Sequence, residues 1–104
     1  MRKWRDRGGR QLFSVIIPTR GRPGALIACL ASLRRLNGRG DQFEVIVVDD
    51  GSEPAMDLSA LTAGEPKMRL RLVRQPNAGA AAARNRGARE ARGHLLIFLD
   101  DDCE

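Results

Sequence analysis

The sequence predicts an α/β protein built on an open parallel sheet, and three observations carry that reading. Four short aliphatic runs, Phe13–Ile17, Glu44–Val48, Leu70–Arg74 and Leu95–Leu99, alternate with helix-patterned segments in a β-α-β-α-β-α-β order. Phe13–Ile17 and Val45–Val48 are near-continuously apolar, as strands covered on both faces are. Leu70-Arg71-Leu72-Val73-Arg74 instead alternates, which marks a half-exposed edge strand. An edge position for this third strand gives a spatial order of 3-2-1-4 with right-handed crossovers.

Each element follows from its residues. Met1–Arg10 holds five Lys/Arg and two Gly and reads as a basic flexible tail. The β-branched run Phe13-Ser14-Val15-Ile16-Ile17 is a buried strand closed by Pro18. Pro23-Gly24 opens a helix, where proline's missing N–H has no partner to lose. Leu26, Cys29, Leu30, Leu33 and Leu36 recur on one face of it, and Asn37-Gly38-Arg39-Gly40 stops it. The second strand has Asp49-Asp50-Gly51-Ser52 as its exit loop. A short, weak helix covers Pro54 to Leu61. Gln75-Pro76-Asn77 turns into a third helix from about Gly79 to Arg92, Gly93 ends it, and Leu95–Leu99 is the last strand.

Size and composition bound the rest. At 104 residues the chain is one small domain, and with three Phe, one Trp and no Tyr its core is aliphatic. The net charge of +5 is uneven: ten Lys/Arg and one acid, Asp6, fall in residues 1–40. Such a basic end could draw nucleic acid. Yet sixteen of the eighteen basic residues are Arg in an Ala- and Gly-rich chain, a compositional bias, so no nucleic-acid partner is assigned. Cys29 and Cys103 do not make a disulfide framework, and Cys29 sits in an apolar helical pattern. No stretch reaches the ~18 apolar residues of a membrane span, and no apolar signal core follows the basic start. A cytoplasmic location is expected.

The chemistry belongs at one edge of the sheet. The parallel strands end at Pro18-Thr19-Arg20, Asp49-Asp50 and Asp100-Asp101-Asp102, so these groups share a rim. Five carboxylates converging there would repel one another. A divalent cation with oxygen ligands, Mg²⁺ or Mn²⁺, is the natural partner for them; a solvated acidic loop is the plainer reading. On the third helix, Ala80, Ala81, Gly87, Ala88 and Ala91 lie within about 60° of Arg84. That stripe predicts a sheet-facing side with Arg84 at its centre, in need of anions, with Arg86 and Arg89 facing water. The helix start at Asn77-Ala78-Gly79 offers free N–H groups to an anion. No Gly-x-Gly-x-x-Gly follows the first strand and no Gly-Lys-Ser/Thr loop is present. The single histidine, His94, reads as a surface residue.

These residues resemble family 2 glycosyltransferases. Phe13-Ser14-Val15-Ile16-Ile17-Pro18-Thr19-Arg20-Gly21-Arg22 is similar to their opening strand, and Val47-Val48-Asp49-Asp50-Gly51-Ser52 to their nucleobase-binding turn. Asn77–Gly87 resembles their Asn-x-Gly…Ala-Arg-Asn-x-Gly helix, and Leu99-Asp100-Asp101-Asp102 their Asp-x-Asp segment. The resemblance implies a GT-A fold, Rossmann-like in its nucleotide-binding half, and a nucleotide-diphospho-sugar donor, with a UDP-sugar favoured. It implies that Pro18, Thr19 and Asp50 hold the base, that Arg20 and Asp49 belong to the nucleotide-sugar site, and that Arg84 lies near the base or diphosphate. Asp100 or Asp101 would touch the ribose, and Asp102, with Asp100, would hold Mg²⁺ or Mn²⁺. Family members continue past this point. Residues 11–104 are therefore expected to be the donor-binding part of an incomplete domain. The general base is expected beyond Glu104, and the acceptor is not named by these residues. Peripheral membrane association of the full-length protein and self-association of the fragment through an open sheet are also expected.

Three rival readings use the same features. A phosphoacceptor receiver domain would also place acidic pairs at strand ends, with Asp100 as its phosphorylated residue, but a full βα unit precedes Asp49 here. In a metal-dependent nucleotidyltransferase the loop after the first strand is Gly-rich and basic, which Thr19-Arg20-Gly21-Arg22 imitates poorly. A non-catalytic nucleotide-binding remnant differs only in activity.

Overall fold

The computed structural model describes residues 13–36, 43–61 and 69–102. The expected basic tail, the Asn37–Gly40 stop and the side chain of Leu36 lie outside what is described. The elements run β1 (Phe13–Thr19), α1 (Pro23–Leu36), β2 (Phe43–Asp50), α2 (Leu58–Leu61), β3 (Arg69–Gln75), α3 (Ala80–Glu90) and β4 (Leu95–Phe98). All four strands are parallel and lie in the order β3-β2-β1-β4, as expected.

Strand alternation splits the core between the two faces. Val15, Ile17, Val45 and Val47 point one way and meet Leu26, Cys29, Leu30 and Leu33 of α1 together with Leu61. Ile16, Ile46 and Val48 point the other way and meet Ala83 and Ala91. Each fully buried aliphatic side chain contributes roughly 1.5–3 kcal/mol. β2, paired on both sides from Glu44 to Asp49, is buried at all eight positions. Cys29 is in the core as expected, and it is disulfide-bonded rather than a free thiol. The chain's other cysteine, Cys103, lies outside the described residues.

Several boundaries differ from the sequence reading. Pro18 does not close β1, which continues through it to Thr19. Its missing N–H explains why this costs little. Ile16 faces β4 with its peptide groups, since its carbonyl accepts from the Leu99 N–H at 3.0 Å. Pro18, two residues on, therefore turns its nitrogen to the same side, where β4 has already ended. Asp49 and Asp50 are the last two residues of β2 and not a loop, because Arg74 and Gln75 of β3 continue the pairing beside them. The second helix shrinks to the single turn Leu58–Leu61.

A buried charge closes the opposite end of the sheet. The Glu44 carboxylate accepts hydrogen bonds from Ser14 Oγ at 2.6 Å, Arg92 N at 2.7 Å and Arg71 Nη2 at 3.3 Å. Gly93 N donates to the same Ser14 Oγ at 2.8 Å. Arg71 also donates to the Glu90 carbonyl. A carboxylate removed from water is tolerated only with such a set of partners. This one fixes the turn between α3 and β4, and so the line along which β4 runs to the carboxyl edge.

Candidate functional site

A cavity of about 520 Å³ opens at the carboxyl edge of the sheet, a size suited to a small organic ligand. The exit of β1 contributes Pro18, Thr19, Arg20 and Arg22, and the end of β2 contributes Asp50. Asn77, Gly79, Ala80 and Arg84 come from the start of α3, and Asp100, Asp101 and Asp102 follow β4. The structure thus brings together every residue singled out from the sequence except Asp49.

Asp49 and Asp50 part company because successive strand residues face opposite sides. Asp49 turns toward the α1 side and folds its own exit loop around itself. Its carboxylate accepts from Ser52 N at 2.9 Å, Met56 N at 3.0 Å and Arg74 Nη1 at 2.9 Å. Burial alone would raise its pKa. The bonds from the Ser52 hydroxyl and from the Met56 and Ser52 amides, with the Arg74 charge, outweigh burial and hold it below the ordinary 3.8. Asp49 is therefore a structural carboxylate and not a lining one.

Asp50 turns toward α3 and lines the cavity with its acceptor sites already taken. Oδ1 accepts from Gln75 Nε2 and from Ala78 N, both at 2.8 Å; Oδ2 accepts from Asn77 Nδ2 and from Gly79 N, both at 2.9 Å. Burial again acts to raise the pKa, and these four bonds again win, leaving it lowered. They draw the β3–α3 connection tight against β2. Gly51, at φ +81°, sits so close to it that a Cβ would lie 2.8 Å from Asn77 N. Only glycine meets both demands.

The start of α3 is open. Gly79 is its N-cap, at φ 98°, and no side chain caps the helix. The amides of the first turn lie beside the cavity and keep the partial positive charge of a helix N-terminus. Arg84 is not at the centre of the sheet-facing side as the small-residue stripe suggests. Ala83 and Gly87 are the buried positions, and Arg84 lies about 100° from Ala83, exposed on the flank that borders the cavity. Gly87 explains the rotation, since a Cβ there would meet Ile16 Cγ2 at 2.3 Å. Helix and sheet approach closest at that glycine. Of the two arginines expected to face water, Arg89 is exposed, but Arg86 is half-buried with Nε 3.4 Å from Glu90.

Across the cavity the acidic turn divides its labour. Asp101 points inward, accepting from Thr19 Oγ1 at 2.9 Å and from Arg22 Nη1 at 3.3 Å. Asp100 and Asp102 are exposed, and Arg22 stands 3.9 Å from Asp102. Among the described residues, Arg20, Arg84 and the Asp100 carboxylate make no side-chain hydrogen bond or ion pair. Arg22 has no signal in the sequence as a lining residue, because its partner Asp101 is 79 positions away.

The expected convergence of five carboxylates is not what forms. Asp49 faces away and the oxygens of Asp50 and Asp101 are engaged. Among the described residues no group of three or more acidic, His or Cys side chains is placed to hold a metal ion. What remains among the described residues is a pair of carboxylates that accept no hydrogen bond, Asp100 and Asp102, the latter with Arg22 3.9 Å away. That donor set fits a hard cation which keeps water and takes further oxygens from a phosphate, as Mg²⁺ does.

Residues 14–104 match the family model described as glycosyl transferase family 2. The chain belongs to that family. The resemblance and the fold expected from the sequence are thereby established, and a receiver domain is not favoured. The family 2 chain is 41% identical over 91 residues to validoxylamine A glucosyltransferase of Streptomyces hygroscopicus subsp. limoneus, covering 86% of this chain and 20% of the relative. Among solved structures it superposes on S. aureus TarS 1–349 in complex with UDP, with a TM-score of 0.74 and 32% identity, over 88% of this chain and 27% of TarS 1–349. It also superposes on the mannosyltransferase PcManGT from Pyrobaculum calidifontis in complex with GDP-Man and Mn²⁺. There the TM-score is 0.78 and the identity 26%, over 96% of this chain and 30% of PcManGT. The chain thus spans about a fifth of the length of that curated relative and under a third of either solved chain. No helix among the described residues is long and apolar enough to cross a membrane.

Proposed function

We propose that this chain is the donor-binding part of a glycosyltransferase that takes its sugar from a nucleotide diphosphate carrier, with a UDP-sugar favoured. The observation that carries the reading is the sorting of charge across one cavity. Arg20, Arg84 and the uncapped first turn of α3 form a cationic side, and the exposed Asp100 and Asp102 form an anionic side. A diphosphate needs the first side, and a cation held by Asp100 and Asp102 would offset its charge from the second. Pro18, Asn77 and the Asp50 region wall the remaining space, where the base would lie. The ligands that accompany TarS and PcManGT, UDP in the one and GDP-Man with Mn²⁺ in the other, support the same class of donor.

The residues would act as follows. Arg84 and Arg20 bind and orient the two phosphates through charge-assisted hydrogen bonds. Asp50 already takes the Ala78 and Gly79 amides, and the amides of the first turn beyond Gly79 add an anion site. Asp102 and Asp100 would hold Mg²⁺ or Mn²⁺, which when bound would supply Lewis-acid stabilisation of charge on the nucleoside diphosphate. Asp50 holds the β3–α3 connection in place, and a base that bonded to it would first have to displace one of its four donors. The acceptor, the general base and a cytoplasmic or membrane-peripheral setting belong to the whole protein.

Titration calorimetry of the 104-residue chain with UDP tests the proposal. UDP is expected to bind weakly, Mn²⁺ or Mg²⁺ is expected to raise its affinity, and Asp102→Ala is expected to abolish that gain. An affinity that the cation leaves unchanged, or an Asp102→Ala chain that behaves like the parent, would refute the assignment.

A further inference from the structure

We infer that Thr19, Asp101 and Arg22 form a strap that positions Asp100 and Asp102, so that Asp101 is a positioning residue and not a ligand of the cation. The inference rests on the proposed donor site and goes further by dividing the three consecutive carboxylates into two roles.

The need for a strap begins with Pro18. The β1–β4 ladder ends where Leu99 N donates to the Ile16 carbonyl, 3.0 Å away. The next N–H on β1 that should face β4 belongs to Pro18, and proline has none. The acidic turn thus leaves the sheet at the residue where it needs to be fixed most. The Thr19 hydroxyl, buried at the end of β1, donates to Asp101 Oδ2 at 2.9 Å and carries the connection one step beyond the backbone ladder. Arg22 Nη1 reaches Asp101 Oδ1 at 3.3 Å from the first residues after β1. Both oxygens of Asp101 are therefore engaged by β1 and the loop that follows it, and its side chain is only 10% exposed.

The consequence falls on its neighbours. With Asp101 drawn inward, Asp100 and Asp102 on either side of it stay exposed at the cavity rim. Arg22 stands 3.9 Å from Asp102 Oδ2, near enough to offset its charge and too far for a hydrogen bond that would hold it. A cation could recruit Asp102 without first breaking a bond. Were Asp101 itself a ligand, its carboxylate would have to serve the cation together with the Thr19 hydroxyl and Arg22.

The test is a binding cycle on the 104-residue chain, reading UDP affinity by calorimetry with and without Mn²⁺. In the parent, Mn²⁺ is expected to raise UDP affinity. Thr19→Val and Arg22→Ala should each lose most of that Mn²⁺ gain, about tenfold for one hydrogen bond. Asp101→Asn should lose a similar factor, and combining it with Thr19→Val should cost little more, because both break one strap. Arg22→Lys should restore part of the gain. Arg22 is largely exposed, so its variants fold whatever Thr19→Val does to stability. The strap is overturned if Thr19→Val and Arg22→Ala keep the full Mn²⁺ gain while Asp101→Asn alone removes it, for then Asp101 is a ligand. A parent chain with no Mn²⁺ gain at all overturns the donor-site proposal instead, and the strap falls with it.

Discussion

Arg84 shows how far one side chain could be read from its neighbours. The sequence places it on the side of α3 that the small residues share, and it does line the cavity. What it cannot fix is the angle, because Ala80 to Ala83 are all small and any of them could have faced the sheet. The decision comes from Gly87 meeting Ile16, a contact between residues 71 positions apart. Asp49 and Asp50 carry the same lesson. Two adjacent aspartates look equivalent in a sequence, and only the register of β2 separates a structural carboxylate from one beside the cavity. Because Arg84 is exposed and unpaired among the described residues, Arg84→Ala should leave stability within about 0.5 kcal/mol. Loss of a charged contact worth about 1.5–3 kcal/mol should weaken Mn²⁺·UDP binding by at least about tenfold. Calorimetry beside a denaturant melt checks both halves. Unchanged affinity would remove Arg84 from the diphosphate.

Strands and helices were legible in order and type, since apolar runs of period two and a stripe of period 3.6 are strong local signals. Their ends were not. β1 runs through Pro18 and β2 through Asp49-Asp50 because neighbouring strands supply partners that a single run does not reveal. The second helix shortened because Asp49, a residue before it, claims the Ser52 and Met56 amides. α3 fits tightly on β1 and β2 at Gly87. A Cβ at Gly87 would lie 2.3 Å from Ile16 Cγ2 and 3.3 Å from Val48 Cγ2. Gly87→Ala should gain helix propensity worth up to about 1 kcal/mol, yet overpacking costs about 1–3 kcal/mol. The expected net result is a less stable chain with α3 lifted from the sheet. Urea denaturation measures it, and an alanine variant as stable as the parent would show that α3 packs more loosely.

For the molecule as a whole, the two lowered carboxyl groups set the acid limit. Asp49 and Asp50 both ionise below 3.8 in the folded chain. In the window between their folded values and 3.8, the unfolded chain takes up protons that the folded chain refuses. Their stabilisation is thus fully present above about pH 4 and is lost as pH falls through the folded values. Urea melts between pH 7 and pH 3 should show this decline, with a shallower slope in Asp49→Asn; equal slopes would dissociate the effect from that carboxyl. β4 sets a second molecular property. Leu95, Leu96, Ile97 and Phe98 are 46%, 38%, 41% and 46% exposed on an edge strand. Such an edge invites pairing, so the chain should associate with rising concentration, and Ile97→Lys should suppress it. Sedimentation velocity distinguishes the two.

The strand order has one further consequence, for the timing of folding. Phe13 finds its β4 partner only at Leu95, whereas every other pairing in the sheet joins strands closer together in the chain. During synthesis one flank of β1 must therefore wait while some eighty residues are added, at a rate of about 5–20 residues per second. Through those seconds the strand that later supplies Thr19 and Arg20 is open on one side to any passing backbone, and a chaperone would find its clearest target there.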